Sequence, residues 1–211
     1  MAINGRIFIA RHGETVFNAA KRMQGNTAHT PLTSTGCEQA NAMGAALATW
    51  LGTHQALELW SSPAGRALQT MAIITGHIGD DYFHVPQDSR LREIDTGIWG
   101  GRPYADVLRD HGPFIDPQTG LFTQVPTGGE DYAQVAARLQ DWVDSCPFEP
   151  VDRLVVMHGM SSRVLRGLLL GLPVDPRFGA PIAPSVSQGS LVMIGGGVEK
   201  LIRIDPAGDH E

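Results

Sequence analysis

The run Ile7-Phe8-Ile9-Ala10 breaks at Arg11-His12-Gly13, and the run Leu154-Val155-Val156-Met157 breaks at His158-Gly159. Short, continuously apolar segments of this kind are strands buried on both faces, which occur where helices cover both sides of a parallel sheet. Their abrupt ends put arginine and histidine at the carboxyl edge of that sheet, where open α/β folds form their ligand crevice. Gly13 lets the backbone come close to a ligand there. The chain is therefore expected to be an α/β protein with an anion site at one sheet edge.

The rest of the chain alternates strand-like and helix-like segments, the pattern of a mostly parallel sheet with helices on both faces. Ile3 to Ala10 is the first expected strand. Cys37 to Leu51 carries apolar residues at helical spacing after the start signal Thr33 to Gly36, Leu57 to Ser61 is a second strand, and Pro63 opens a helix through Ile78. A third strand-like region passes into Leu91-Arg92-Glu93-Ile94-Asp95. Tyr132 to Val143 reads as a helix, for which Glu130 is either a cap or a ligand contact. Val151 to Met157 is a central strand, Ser161 to Leu170 a helix ending at Gly171, and Ser190 to Ile194 with Val198 to Ile204 a hairpin around Gly195-Gly196-Gly197. That glycine triplet lacks the Gly-Lys-Ser/Thr of a phosphate loop. Asp95 to Glu130 is rich in glycine and proline and carries Trp99, Tyr104, Phe114 and Phe122, with a helical signal only near Tyr104 to His111. Long irregular excursions in compact domains form lids and binding loops, so this one is expected to be a partial cap. The tail after Asp205 is expected to fray.

With 211 residues and 42% hydrophobic content, the chain fits a single domain over 1–211 with a cap insertion at about 95–130. The net charge of −6 argues against nucleic acid or an acidic membrane surface as partner, so an anionic ligand must be drawn by a local cluster. Cys37 and Cys146 form neither a disulfide framework nor a metal pattern. The absence of a leader-like or membrane-length apolar segment gives the expectation of a cytoplasmic protein.

A neutral imidazole can attack phosphorus without a separate base, which makes His12 the candidate nucleophile. Arginines beside it disfavour its protonated form and bind phosphoryl oxygens in forked geometry; Arg11 and Arg66 are the candidates. Arg66 lies in Ser61-Ser62-Pro63-Ala64-Gly65-Arg66, where a strand passes into a helix at the same sheet edge. His158-Gly159 opens another helix, whose amino end favours anions. A departing alkoxide needs a proton, and a carboxylic acid beside a bound phosphate is favoured in its protonated form; Glu93 is the first candidate and Asp95 the second. His158-Gly159-Met160-Ser161-Ser162 lacks the second glycine of a nucleophile elbow, and a metal cluster of His12, His158, His84 and Glu93 would be repelled by the flanking arginines.

On these residues the chain resembles the histidine phosphatase superfamily, in the branch that includes cofactor-dependent phosphoglycerate mutases and related phosphomonoesterases. Arg11-His12-Gly13-Glu14-Thr15-Val16-Phe17-Asn18 carries the signature, and Gln24-Gly25, Pro31-Leu32-Thr33, Ser61 to Thr70, Leu91-x-Glu93 with Gly97-x-Trp99, Pro126-x-Gly128-Gly129-Glu130 and Val156-Met157-His158-Gly159 follow in the family's order. The resemblance implies a three-layer α/β/α sandwich of the phosphoglycerate mutase type, transient phosphorylation of His12, a phosphoryl group held by Arg11, Arg66 and His158, proton donation by Glu93, and a pocket lined by Asn18, Gln24 and Gly25. It implies no metal or other cofactor. The chain departs from the family's pattern at Trp99-Gly100-Gly101, where a second carboxylate is common, at His29, where an aspartate is common, and at Met160, where a glycine is common.

The mutases carry an arginine-rich stretch after the catalytic glutamate, whereas Ile94-Asp95-Thr96-Gly97 follows here, and Arg102 and Arg109 in the cap are offset by Asp106, Asp110 and Asp116. A histidine acid phosphatase-type phosphomonoesterase is therefore favoured over a mutase, a sugar bisphosphatase or a non-catalytic phosphate-binding domain. Its expected partners are a small phosphate ester and inorganic phosphate as product, with a homodimer left open.

Overall fold

In a computed structural model, residues 5–53, 57–146, 150–202 and 204 are described. The expected strand start at Ile3, His54 and the tail from Asp205 lie outside them. Strand β1 (Ile7–Arg11) leads through a short helix α1 (Val16–Ala19) to the long helix α2 (Ser34–Leu51), strand β2 (Leu57–Ser61) and helix α3 (Gly65–Ile78). The excursion contains helix α4 (Tyr104–His111). Helix α5 (Tyr132–Ser145), strand β3 (Asp152–Met157) and helix α6 (Gly159–Leu169) follow. A small ribbon of β4 (Val174–Asp175) and β5 (Ala180–Pro181) precedes the hairpin of β6 (Leu191–Gly195) and β7 (Val198–Ile202).

Five strands form one sheet in the order β2-β3-β1-β6-β7. β1, β2 and β3 are parallel, β6 runs antiparallel to β1, and β7, antiparallel to β6, points the same way as the first three, so the sheet is mixed with β6 reversed in an otherwise parallel set, as expected. The tight turn at Gly195-Gly196-Gly197 returns β7 antiparallel to β6, whereas parallel neighbours need a crossover. Alternation along β1 sends Ile7 and Ile9 into a cluster with Val135, Leu139, Trp142, Val164 and Leu165 of α5 and α6. Phe8 and Ala10 join the opposite cluster with Met43, Leu47, Met71 and Ile74 of α2 and α3. Helices thus cover both faces.

The expected third strand near Leu91 is not a strand. The chain there makes single 3-10 turns at Tyr82–His84, Ser89–Leu91 and Gly97–Trp99. Asp81 and Asp88 accept from the amides of Phe83 and Arg90, and such local side-chain bonds draw a backbone away from a ladder. The excursion is not a loose surface loop either, since Trp99, Val107, Phe114, Leu121 and Phe122 are buried in the cluster of α5 and α6. Asp131, not Glu130, caps α5, in a reciprocal box with Gln134. Among the described residues no helix is long and apolar enough to cross a membrane.

The turn after β1 and the first turn of α2 touch backbone to backbone. A Cβ on Gly13 would stand 2.2 Å from the Gly36 carbonyl oxygen, and one on Gly36 would stand 2.0 Å from the Glu14 carbonyl oxygen. Thr33 completes the junction, accepting from the Gly36 amide as the cap of α2. Neither close approach can be relieved by a rotating side chain. Gly36→Ala is expected to destabilise the protein by about 1–3 kcal/mol, the usual range for overpacking, as read from urea midpoints; an unchanged midpoint would contradict this packing.

Candidate active site

β1 and β3 end level with each other, with Arg11 opposite Met157 and the His12 amide donating to the Met157 carbonyl at 3.0 Å. The two histidines that follow these strands therefore meet, their rings 5.2 Å apart at 63°. His12 Nδ1 lies 2.7 Å from the Gly13 carbonyl, which can only accept, so the proton is on Nδ1 and the lone pair on Nε2. His158 takes the opposite tautomer. Its Nδ1 accepts from Arg66 Nε at 3.2 Å, which leaves Nε2 to donate to Ser62 Oγ at 2.7 Å. Burial pushes both imidazoles well below the ordinary histidine range, with Arg66 and then other nearby cations acting in the same direction. Both are neutral at physiological pH.

A cavity of about 200 Å³ opens beside His12. Of the expected site residues, Arg11, His12, Asn18, Gln24, Gly25, Glu93 and Gly159 line it. Arg66 and His158 do not; they are fully buried behind His12. Arg66 donates to the carbonyls of Thr27 at 2.6 Å and Gly25 at 2.8 Å and to Thr30 Oγ1 at 3.1 Å. Burial lowers its pKa to about 10, which leaves it cationic at neutral pH. Arg11 donates to the Val186 carbonyl at 3.0 Å, while its buried Nε has no partner. A Cβ on Gly159 would sit 3.1 Å from the Arg11 guanidinium carbon, so glycine gives that guanidinium its place over the start of α6.

Glu93 ends at the same helix start. Its Oε2 accepts from the Met160 amide at 3.0 Å and its Oε1 from the Ser161 amide at 2.8 Å and the Ile94 amide at 2.9 Å. The cap position of α6 is His158, whose side chain makes no cap bond, so the carboxylate arriving from another segment satisfies the exposed amides. Asp95, the second candidate acid, turns to the Gly97 amide at 2.8 Å and is not among the lining residues. His29 is exposed and does not line the cavity. Asn18 and Gln24 are tied together by Thr15 and, for Asn18, by Gln188.

The cavity also contains residues that the motifs did not single out as site residues: Arg22, Tyr104, Thr119, Phe122, Arg163 and Ser185 among them. Arg163 was legible in principle. It lies four residues after Gly159, on the same helix face. It is 6% exposed, donates to the carbonyls of Ala183 and Thr119, and burial lowers its pKa. Among the described residues, Arg11, Arg22, Arg66 and Arg163 make no ion pair with a carboxylate, while the other described arginines do. Arg11, Arg22 and Arg163 line one cavity, and Arg66 lies behind His12. No group of three or more histidine, cysteine or acidic residues suited to a metal occurs among the described residues.

Residues 7–198 match the model of the histidine phosphatase superfamily (branch 1). A relative from Yersinia enterocolitica named "Probable phosphoglycerate mutase GpmB" is 33% identical over 174 residues, covering 80% of this chain and 76% of its own. The solved mycobacterial glucosyl-3-phosphoglycerate phosphatase superposes with a TM-score of 0.71 at 31% identity, over 93% of this chain and 96% of that one. The α-ribazole phosphatase of Shigella flexneri shares the fold, with a TM-score of 0.71 at 24% identity over 94% of this chain and 95% of its own.

The two neutral histidines make stability depend on pH. Their folded pKa values lie below the unfolded value near 6.5, so on acidification the unfolded chain takes up protons that the native site refuses. Stability is therefore fully present above that value and falls below it. From pH 7 to 5.5 each histidine is expected to remove about 1 kcal/mol. In urea unfolding, His158→Gln should show a shallower pH dependence than the wild type over this window; parallel dependences would show that His158 is not held neutral.

Proposed function

Because the chain belongs to the histidine phosphatase superfamily (branch 1), we propose that it is a metal-independent phosphomonoester hydrolase that works through phospho-His12 on a small phosphorylated metabolite. The observation that carries this reading is a bare, neutral His12 Nε2 at a cavity lined by Arg11, Arg22 and Arg163 and backed by Arg66, none of which has a carboxylate partner. Cations left unpaired in or beside a cavity favour an anion there, and they disfavour a catalytic metal ion.

In this reading His12 Nε2 attacks phosphorus as the bond from phosphorus to the ester oxygen breaks. Arg11 receives the phosphoryl oxygens, with the charge of Arg66 and the imidazole of His158 directly behind the nucleophile. Glu93 donates a proton to the departing alkoxide. Water then attacks the phosphohistidine and gives its proton to the Glu93 carboxylate; the nitrogen to phosphorus bond breaks, and inorganic phosphate leaves with His12 neutral again.

Hydrolysis rather than transfer is supported by the cap arginines. Arg109 is paired with Asp106 and Asp110, and Arg102 with Asp110, so neither is free to hold a second substrate anion. The offset cap arginines had suggested no strong second anion site, but Arg22 and Arg163 line the cavity without a carboxylate partner. They favour, as a second reading, a substrate with a further anionic group, which includes the mutase activity that the Yersinia relative is named for. Incubation with 3-phosphoglycerate separates the two: release of inorganic phosphate faster than formation of the 2-phospho isomer supports the hydrolase, and the reverse order overturns it.

Turnover of p-nitrophenyl phosphate is expected to continue in excess chelator and to fall by about a thousandfold or more in His12→Ala. Glu93→Gln should lower kcat by about a hundredfold or more on β-glycerophosphate, whose alkoxide needs a proton, and far less on p-nitrophenyl phosphate. Full activity in His12→Ala, or activity abolished by chelator, would overturn the proposal. A trapped acid-labile phosphohistidine would be its direct support.

A further inference from the structure

The excursion from Asp95 to Glu130 is closed at its base by a two-way clasp. The Glu130 amide donates to the Asp95 carbonyl at 2.9 Å, and the Asp95 amide donates to Glu130 Oε2 at 3.0 Å. Glycines on each side keep the two ends in backbone contact: a Cβ on Gly97 would lie 2.2 Å from the Thr127 carbonyl oxygen, and one on Gly129 would lie 2.8 Å from that of Asp95. There is little room for one end to move without the other.

The same Glu130 carboxylate is gripped by Arg138 of α5, whose Nε donates to Oε1 at 3.0 Å and NH2 to Oε2 at 3.1 Å, and by Arg92. The side chains of Arg138 and Glu130 are 10% and 12% exposed. Burial pushes the Glu130 carboxyl up, but Arg138, the Asp95 amide and Arg92 outweigh it and hold it below the usual carboxylate range. Arg138 also donates to the carbonyls of Glu93, at 3.3 Å, and Arg90. Neither Glu130 nor Arg138 lines the cavity.

We propose that the buried Glu130–Arg138 pair is a positioning device for Glu93. The pair fixes the Glu93 main chain against α5 while the α6 amides fix its carboxylate, so the proton donor is held from both ends. This rests on the role given to Glu93 above. A proton donor displaced by about 1 Å loses much of its rate advantage, even when the displaced contact is remote from the reacting atoms.

The test measures kcat and KM for β-glycerophosphate and p-nitrophenyl phosphate in Glu130→Gln, Arg138→Gln and Arg138→Lys. Glu130→Gln and Arg138→Gln are expected to lower kcat on β-glycerophosphate by about tenfold or more, with KM within about twofold and p-nitrophenyl phosphate little affected. Arg138→Lys, which keeps the charge but not the fork, should fall between them and the wild type. Added to Glu93→Gln, the same substitutions should cost nothing further on β-glycerophosphate. Parallel losses on both substrates, or a further loss in the Glu93→Gln background, would reduce the pair to a structural ion pair and overturn the proposal. If Glu130→Gln does not fold, Arg92→Gln removes one partner of the carboxylate from a side chain that is 31% exposed, and it must show the same selectivity for the alkyl substrate. A wild type without hydrolase activity, or a Glu93→Gln variant that loses both substrates equally, would instead overturn the role of Glu93 itself, and the proposal with it.

Discussion

The pairing of β1 with β3 is the constraint on which the rest of the site depends. The parallel register that sets Arg11 opposite Met157 brings the two strand ends to one level, and the bond from the His12 amide to the Met157 carbonyl carries it one residue further. A slip of one residue would exchange the faces of Ile7, Phe8, Ile9 and Ala10, moving large side chains between clusters that fill opposite sides of the sheet. The hydrophobic effect thus sets the relative height of His12 and His158. Their contact at 5.2 Å follows from core packing rather than from any attraction between the rings.

Around this pair the protein arranges charge in an unusual way for a buried region. Among the described residues, guanidinium groups elsewhere meet carboxylates, as Arg166 meets Glu199 and Arg177 meets Asp175. Those beside His12 meet backbone carbonyls, which orient them without cancelling their charge. A chain with a net charge of −6 therefore keeps a locally cationic cavity. The Glu93 carboxylate answers part of that charge while bonded to the amino end of α6, where helix geometry leaves amides unused.

The strand ends were legible because an apolar run that stops at Arg11-His12-Gly13 or His158-Gly159 has few other physical explanations. Asn18, Gln24, Gly25 and Glu93 were legible through the order of motifs, and each lines the cavity. What the sequence hid was set by distant contacts. The mooring of Glu93 on α6 joins residues 67 and 68 apart, and Arg66 is held behind His12 by the carbonyls of Gly25 and Thr27, which no local pattern encodes. Arg163 sat in plain view at helical spacing from Gly159 but had no motif to mark it. Glu130 resembled a helix cap because its neighbour Asp131 is one. The third strand failed because Asp81 and Asp88 turn the backbone locally.

The central pairing has a consequence for how the molecule comes into being. Ile7 and its partner Arg153 are 146 residues apart along the chain, and β1 has β6, later still, on its other side. During synthesis the first strand must therefore wait unpaired, with Ile7 and Ile9 uncovered on the face that α5 and α6 later fill, until most of the polypeptide has been made. Helices α2 and α3, which touch each other closely, can form in the meantime. The middle of the sheet is its last part to close, a long-range event of the kind that slows folding and leaves apolar strands open to association with other chains while they wait.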